Sequence, residues 1–462
     1  MNPNDVLAKA EALRGSLSSG FRDEIVKSLY NEAETIAKRA VKTAKDKKYD
    51  FDQKVDRLVT SPIVGLPIML VLLGLVIWLT VSGANVASAA IANVLFGLGD
   101  WGRALFQQIG VPWWITGFIW DGVYLGLAWV VSVMLPPMAI FFPAFTFLED
   151  LGYLPRVAFN LDWLFKKAGA HGKQSLTMAM GFGCNAAGVV ATRVIDSPRE
   201  RLIAILTNNF VPCNGRFPTL IMLATVFVAA AFPPALTSFI AAGTVVGVVL
   251  IGVGFTFLMS WLLSRTVLKG EASAFTLELP PYRRPNITRI LYTSIIDRTI
   301  FVLWRAMQTA DHAGAIIWIL ANIHVGDSIL ARMTADWLNP FGLLLGLDGV
   351  ILLAYIIAIP ANEIVVPTMM MVYMGAGMMI DGPGTSAGIY NLLVNGNGWT
   401  MLTAVNLMLF ALLHNPCATT IITIYKETKS YRWATVSVII TLGMAFLVTF
   451  ITASVARLLG WG

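Results

Sequence analysis

Long apolar runs separated by short polar stretches dominate this chain after its first sixty or so residues. Segments 63–82, 202–230, 235–263 and 433–456 each hold around 20 or more residues with few or no charges. About 20 residues, each rising about 1.5 Å, cross a hydrocarbon core of roughly 30 Å. The runs are rich in Gly, Ala, Leu and Val and show no sustained period-2 alternation, so they predict membrane-spanning helices rather than a barrel. Residues 1–60 differ. Segments 4–15 and 21–46 mix apolar and charged residues at helical spacing, with a breaker-rich turn from Gly15 to Gly20. The expected architecture is an all-α, polytopic transmembrane helical bundle. A cytoplasmic helical arm (1–60) would precede a first membrane half (61–265), a connecting loop (266–298) and a second membrane half (299–462).

Two stretches break simple counting. Residues 174–192 lie between basic loops yet are too few to cross and return, which predicts a re-entrant hairpin turning near Gly181-Phe-Gly-Cys-Asn185. Residues 360–380 pose the mirror problem, with Pro360-Ala-Asn-Glu363 interrupting an apolar run. Each is followed by a span broken in its middle. The first break is Asn208-Asn-Phe-Val-Pro-Cys-Asn-Gly215 and the second is His414-Asn-Pro-Cys417. Interrupted helices at matching places in two inverted halves point to a binding site near the midplane.

Charge sets the orientation. Basic residues cluster in the arm, at 156–173, 193–201, 265–298 and 426–432, whereas 83–118, 323–340 and 381–398 are poor in Lys and Arg. This pattern places the N-terminus in the cytoplasm, with the second set of loops outside. The net charge of +6 thus belongs to short loops beside spans and argues against a nucleic-acid partner. The arm, with 12 Lys+Arg against 10 Asp+Glu, lacks the short apolar stretch of a signal peptide, so the first span is expected to be retained. Only 13% of residues are charged against 56% hydrophobic, about half the charged share of a soluble domain.

Candidate chemistry gathers at the breaks. A proline inside a span removes a donor and frees a carbonyl four residues back. Beside these carbonyls stand Cys184 and Asn185, Cys213 and Asn214, Asn362 and Glu363, and His414 and Cys417. All three cysteines of the chain are among them, which argues against a disulfide framework. Thiol sulfur with imidazole or carboxylate suits a borderline divalent metal better than an alkali ion, Mg2+ or Ca2+. Each cysteine could equally be small apolar filler. Glu363 could be a buried acid with a structural partner, although an ionisable group inside a span is a functional candidate by default. Glu149, Asp150, Arg193 and Arg216 are expected to act in gating or at interfaces. His171, His312 and His324 are expected near loops as plain interfacial residues. The run Thr368-Met-Met-Met-Val-Tyr-Met374 is expected to be packing rather than a copper site. Gly97-Leu-Gly-Asp-Trp-Gly102-Arg103 superficially resembles a phosphate loop but lacks the Lys and Ser/Thr that such a loop needs. No nucleotide site of that type is expected.

At these residues the chain resembles the membrane domain of the ferrous-iron transport protein B family (FeoB). The matching stretches begin with Lys54-Val-Asp-Arg57, Leu148-Glu-Asp-Leu-Gly-Tyr153 with Arg156, and His171-Gly-Lys173. They continue through Gly181-Phe-Gly-Cys-Asn185, Thr192-Arg193, Glu278-Leu-Pro-Pro-Tyr-Arg283, the Glu363 segment and Pro416-Cys417. The resemblance covers roughly residues 52–456. It implies two inverted gate repeats, ferrous iron as transported substrate, and a bacterial or archaeal inner-membrane location. It also implies that Cys184, Cys213 and Cys417 lie on or near the iron path. Family members usually carry an N-terminal GTP-binding domain. Here residues 1–60 look like the tail of a helical region, so the GTPase is expected either as a separate chain docking on the arm or not at all. The sequence His-Asn-Pro-Cys also departs from the apolar approach expected before that Pro-Cys.

The combined expectation is a non-enzymatic permease importing ferrous iron across the cytoplasmic membrane, with no permanently bound cofactor. Expected partners are the bilayer, a separate GTPase subunit, a small accessory protein on the cytoplasmic side, and further copies of the chain. One alternative is a cation-coupled transporter of a small organic solute such as a nucleoside. Another is a non-transporting assembly or receptor subunit. An intramembrane enzyme would need a nucleophile–base pair or an HExxH motif, and neither is visible.

Overall fold

The computed structural model describes residues 5, 9, 21–40, 47–61, 63–270, 282–326, 328–380 and 386–460. Apart from those two positions, segment 4–15 and the Gly15–Gly20 turn fall outside the described residues. The arm contributes α1 (Phe21–Ala40) and α2 (Lys47–Val59). The chain then enters α3 (Gly65–Gln108), a single helix of 44 residues. This corrects the expectation of an open loop over 83–118. No proline interrupts the chain between Pro67 and Pro112, so the helix continues, and it stops only at Gly110 (φ 81°) and Pro112. At about 1.5 Å per residue it is roughly 66 Å long, twice the depth of a hydrocarbon core.

A second long helix, α4 (Trp113–Asp150), returns through a π-helical turn at Gly117–Tyr124 and carries Pro136, Pro137 and Pro143 inside it. Helix α5 (Tyr153–Lys167) closes against it. The first hairpin is α6 (Gln174–Gly183) and α7 (Asn185–Ala191), and the first broken span is α8 (Pro198–Thr207) and α9 (Phe217–Leu223). Helix α10 (Pro234–Arg265) completes the first half.

In the second half, α11 (Ile287–Tyr292) runs through a π-helical stretch, Thr293–Ile300, into α12 (Phe301–Asn322). A two-residue antiparallel pair follows, β1 (His324–Val325) with β2 (Ser328–Ile329). Helix α13 (Leu330–Leu344) then bends by 110° into α14 (Gly349–Ile357), which forms the second hairpin with α15 (Val365–Met374). The second broken span is α16 (Met401–Leu413) and α17 (Ala418–Thr428), and α18 (Tyr431–Leu458) ends the bundle. Among the described residues, five helices are long and apolar enough to cross a membrane, or six if the bent α13–α14 pair counts as one span.

The hairpin–broken-span order thus occurs twice, and the two copies exchange partners. Helix α7 of the first hairpin packs on α17 of the second broken span, while α15 of the second hairpin packs on α9 of the first. Each hairpin is tied at its feet. Lys173 Nζ donates to Val194 O and Asp196 Oδ2, both at 3.0 Å, closing the first. That ammonium holds the Asp196 carboxyl below its usual range. Beside it, the Lys173 N–H donates to His171 Nδ1 at 2.9 Å, and burial lowers the pKa of this imidazole. In the second hairpin, Asp348 caps α14 and accepts from Tyr373 Oη (2.5 Å) and Trp399 Nε1 (3.2 Å).

Close helix approach depends on small residues. A Cβ at Gly126 would meet the Gly314 Cα at 3.0 Å, so α4 and α12 are nearly in backbone contact, as small-residue interfaces in membranes permit. His312 is mid-helix in α12, 2.5 Å from Asp311, not near a loop as expected. Met369, Met370 and Met371 are fully buried in the core, in line with packing.

An ionic cluster joins the arm to the bundle. Arg156 is 1% exposed, donates to Asp56 Oδ1 (2.9 Å), Asp56 Oδ2 (3.2 Å) and Gly152 O (2.7 Å), and stacks on Tyr282 at 4.1 Å. Replacing Asp56 with Asn removes the charge that compensates a buried guanidinium. The expected loss is about 1.5–3 kcal/mol, seen as faster amide exchange across 47–59. Unchanged exchange would mean that the pair does not hold the arm.

Candidate functional site

The local sequence forces four backbone breaks. At the first hairpin, Gly181 and Gly183 flank an apex that has no room for side chains. A Cβ on Gly183 would clash with Phe142 at 2.6 Å, and one on Gly181 would press on Asn208 Oδ1 at 3.0 Å. Cys184 is therefore extended (φ −154°, ψ 125°) between two helices. Pro212 and Pro416 break the two spans by removing donors, and Pro360 turns the second hairpin. That hairpin extends over 349–374, with Pro360-Ala-Asn-Glu363 at its apex rather than its start.

Each break restarts as a helix. Cys184, Cys213 and Cys417 are the N-cap residues of the restarted segments, and Ala361 caps the turn that holds Glu363. Backbone N–H groups of Ala186 and Ala187 reach the Cys184 sulfur, Gly215 N–H reaches Cys213, and Thr420 Oγ1 lies 3.4 Å from Cys417 Sγ. Four positive helix ends thus point at one place, where they favour negative charge.

That place is a small cavity of about 40 Å³ lined by Cys184, Asn185, Cys213, Asn362, Glu363 and Cys417. Thr419, Thr420 and Gly215 complete its polar wall, and Met134, Val302 and Ala306 supply apolar sides. Cys213 is buried, and Cys184 and Cys417 are partly so. Among the described residues, no three His, Cys, Asp or Glu side chains stand close enough together to hold a metal ion. The donors surround a space without closing on one point.

Asn214 and His414, grouped with these residues by sequence, lie elsewhere. Asn214 lines a separate cavity of about 300 Å³ with Thr80, Ser88 and Pro137. The His414 ring is buried against Tyr355 (4.6 Å) and Phe410 (5.9 Å). Its Nδ1 is 2.9 Å from Ala411 O, and Nε2 faces the Asn362 amide at 3.3 Å. It positions Asn362 rather than lining the cavity.

The four expected gating or interface residues all make cross-element contacts. Arg216, 1% exposed, donates to Asn209 O (2.8 Å), Leu412 O (2.7 Å), His414 O (2.9 Å) and Asn415 O (3.4 Å). One guanidinium thus satisfies carbonyls freed at both broken spans. Arg193 meets Glu427 through two bonds of 2.9 and 2.6 Å, joining the ends of α7 and α17. Glu149 pairs with Arg298 at 3.1 Å, and Asp150 Oδ2 accepts from Asn286 N–H at 3.0 Å.

Sequence reasoning did not single out Asn208 or Gly215. Asn208 wedges between the hairpin arms. Its Nδ2 donates to Asn185 O at 3.1 Å, and a Cβ on Gly188 would lie 2.6 Å from it. A Cβ on Gly215 would collide with the Glu363 carboxylate. The Asn pair before a Pro-Cys break was the available signal for Asn208. Gly215 had none, because its neighbour comes from the other half of the chain.

Comparison with known proteins agrees with this anatomy. A family model described as Gate, nucleoside recognition, matches residues 131–228 and 312–431. A model described as the ferrous iron transport protein B C terminus matches residues 245–297. The Fe(2+) transporter FeoB of Staphylococcus aureus (strain MSSA476) is 26% identical, covering 98% of this chain and 67% of that protein. The Campylobacter jejuni protein of the same name is 27% identical over 90% of this chain and 67% of its own length. An Fe(2+) transport protein A/Fe(2+) transporter FeoB fusion protein of Porphyromonas gingivalis is 26% identical over 86% of this chain and 51% of that protein. No solved structure matches. This multi-pass membrane chain resembles the membrane domain of the FeoB family, its Gate region divided into two stretches around the FeoB C-terminal region.

Proposed function

We propose that the chain carries ferrous iron across the cytoplasmic membrane through the cavity between its four helix breaks. The observation that carries this reading is the convergence of Cys184, Cys213, Cys417 and Glu363, drawn from both halves of the sequence, on one small cavity. Thiolate sulfur with carboxylate and amide oxygen suits a borderline divalent ion and serves Mg2+ or Ca2+ poorly. Donors that line a space without closing on a point suit an ion that must also leave. The two halves, 61–265 and 299–462, act as inverted repeats, and rocking of the hairpins alternates access. The arm faces the cytoplasm. There it meets a GTPase chain and a small accessory protein, the accessory protein being in keeping with the Fe(2+) transport protein A portion of the P. gingivalis relative.

The name of the Gate model favours a second reading, transport of a nucleoside. Size argues against it at this site. Small-molecule sites measure about 300–1,000 Å³, whereas the cavity holds about 40 Å³. A dehydrated metal ion fits.

The test is uptake into vesicles reconstituted with the purified chain and reduced iron. Replacing Cys184, Cys213 and Cys417 together with Ser should abolish uptake while Mg2+ stays excluded, as in the parent. Uptake unchanged by the triple replacement, or equal uptake of labelled uridine, would sink the iron reading.

A further inference from the structure

A second and larger cavity opens at the opposite end of α4 from its first residue, where the span ends at Glu149 and Asp150. It measures about 350 Å³, within the range of small-molecule sites, and three arginines line it: Arg283, Arg289 and Arg298. Thr146 and Thr293 add hydroxyls. The two carboxylates on its wall are already engaged, Glu149 by Arg298 and Asp150 by the Asn286 N–H. Among the described residues no ion pair engages Arg283 or Arg289. Three cations against two anions leave the cavity net positive.

Its position narrows the ligand. Glu149 and Asp150 are the last residues of a 38-residue helix that is long and apolar enough to cross a membrane, and the cavity lies at that end of it. The helical stretch that supplies Arg289, Thr293 and Arg298 turns Ile287, Leu291, Ile295 and Ile300 outward, each at least 38% exposed. Arginine at the edge of an apolar face is how basic pockets between membrane helices hold phosphate headgroups, and guanidinium recognises phosphate through paired bonds.

We propose that this cavity binds a phosphate group, carried either by an anionic lipid headgroup or by a small soluble phosphate compound. Its assignment to the cytoplasmic leaflet rests on the orientation proposed above, but binding itself does not. The site is separate from the cysteine cavity, so neither inference depends on the other.

The experiment uses the full chain in nanodiscs of phosphatidylcholine with or without phosphatidylglycerol. Native mass spectrometry reads the lipids retained, and thermal unfolding with added inorganic phosphate reads the soluble source. The parent should retain phosphatidylglycerol in preference to phosphatidylcholine, or be stabilised by phosphate, and which arm responds names the source. The R283Q/R289Q variant should lose the effect by about fivefold per arginine. E149Q, which releases Arg298 from its partner, should strengthen it. A parent that responds in neither arm overturns the proposal, as does a folded R283Q/R289Q variant that binds like the parent. If that variant does not fold, E149Q decides: tighter binding supports the site, and unchanged or weaker binding overturns it.

Discussion

Replacing Arg216 with Met should cost the folded state on the order of 3–5 kcal/mol, the penalty of leaving several buried carbonyls without a donor. The side chain is 1% exposed and serves four carbonyls from two segments nearly 200 residues apart in sequence. Half-helix ends inside a membrane have no water to fall back on, so their orphaned acceptors must be met from within the protein. Lysine should recover only part of the loss. It keeps the charge but offers a point donor where a planar fork reaches both breaks. Denaturation in detergent, monitored by circular dichroism, measures all three proteins. If the Met variant melted with the parent, the breaks would have to be held by something other than this guanidinium.

Exchanging Gly215 for Ala should lower iron uptake by at least about tenfold, or ~1.4 kcal/mol, with little change in melting temperature. The added methyl would occupy the position of the Glu363 carboxylate, which must then swing out of the cavity wall. Gly74→Ala is the control, since a Cβ there meets nothing within 4 Å and Ala is the better helix former. Vesicle uptake and unfolding are compared for both variants. Equal uptake by the Gly215 variant would show that the position of Glu363 does not matter for passage.

The contrast between these two residues shows what the sequence could and could not reveal. Interruptions are local chemistry. Pro212, Pro360 and Pro416 and the Gly181/Gly183 pair announce breaks wherever they occur in an apolar run. Both hairpins, both broken spans and the gathering of Cys184, Cys213, Glu363 and Cys417 were therefore legible. The continuation of α3 to Gln108 was not, because poverty in Lys and Arg marks an outward-facing stretch without saying whether it is loop or helix. His414 and Asn214 were placed with the cysteines because proximity in sequence stood in for direction. A helix restart turns successive side chains about 100° apart, so a neighbour of a lining residue usually faces elsewhere. Gly215, Asn208 and the reach of Arg216 depend on how the two halves interlock, and no local pattern encodes that.

The capping of three of the four restarted segments by a cysteine has an electrical consequence. With positive backbone ends on every side, a divalent ion can settle only where the thiols have given up protons to make room for it. On the iron path proposed above, loading would therefore expel protons and emptying would recover them. A carrier working on that proposed path would move acid equivalents against its cargo, and acidification on the loading side would compete with the ion for the same sulfur atoms.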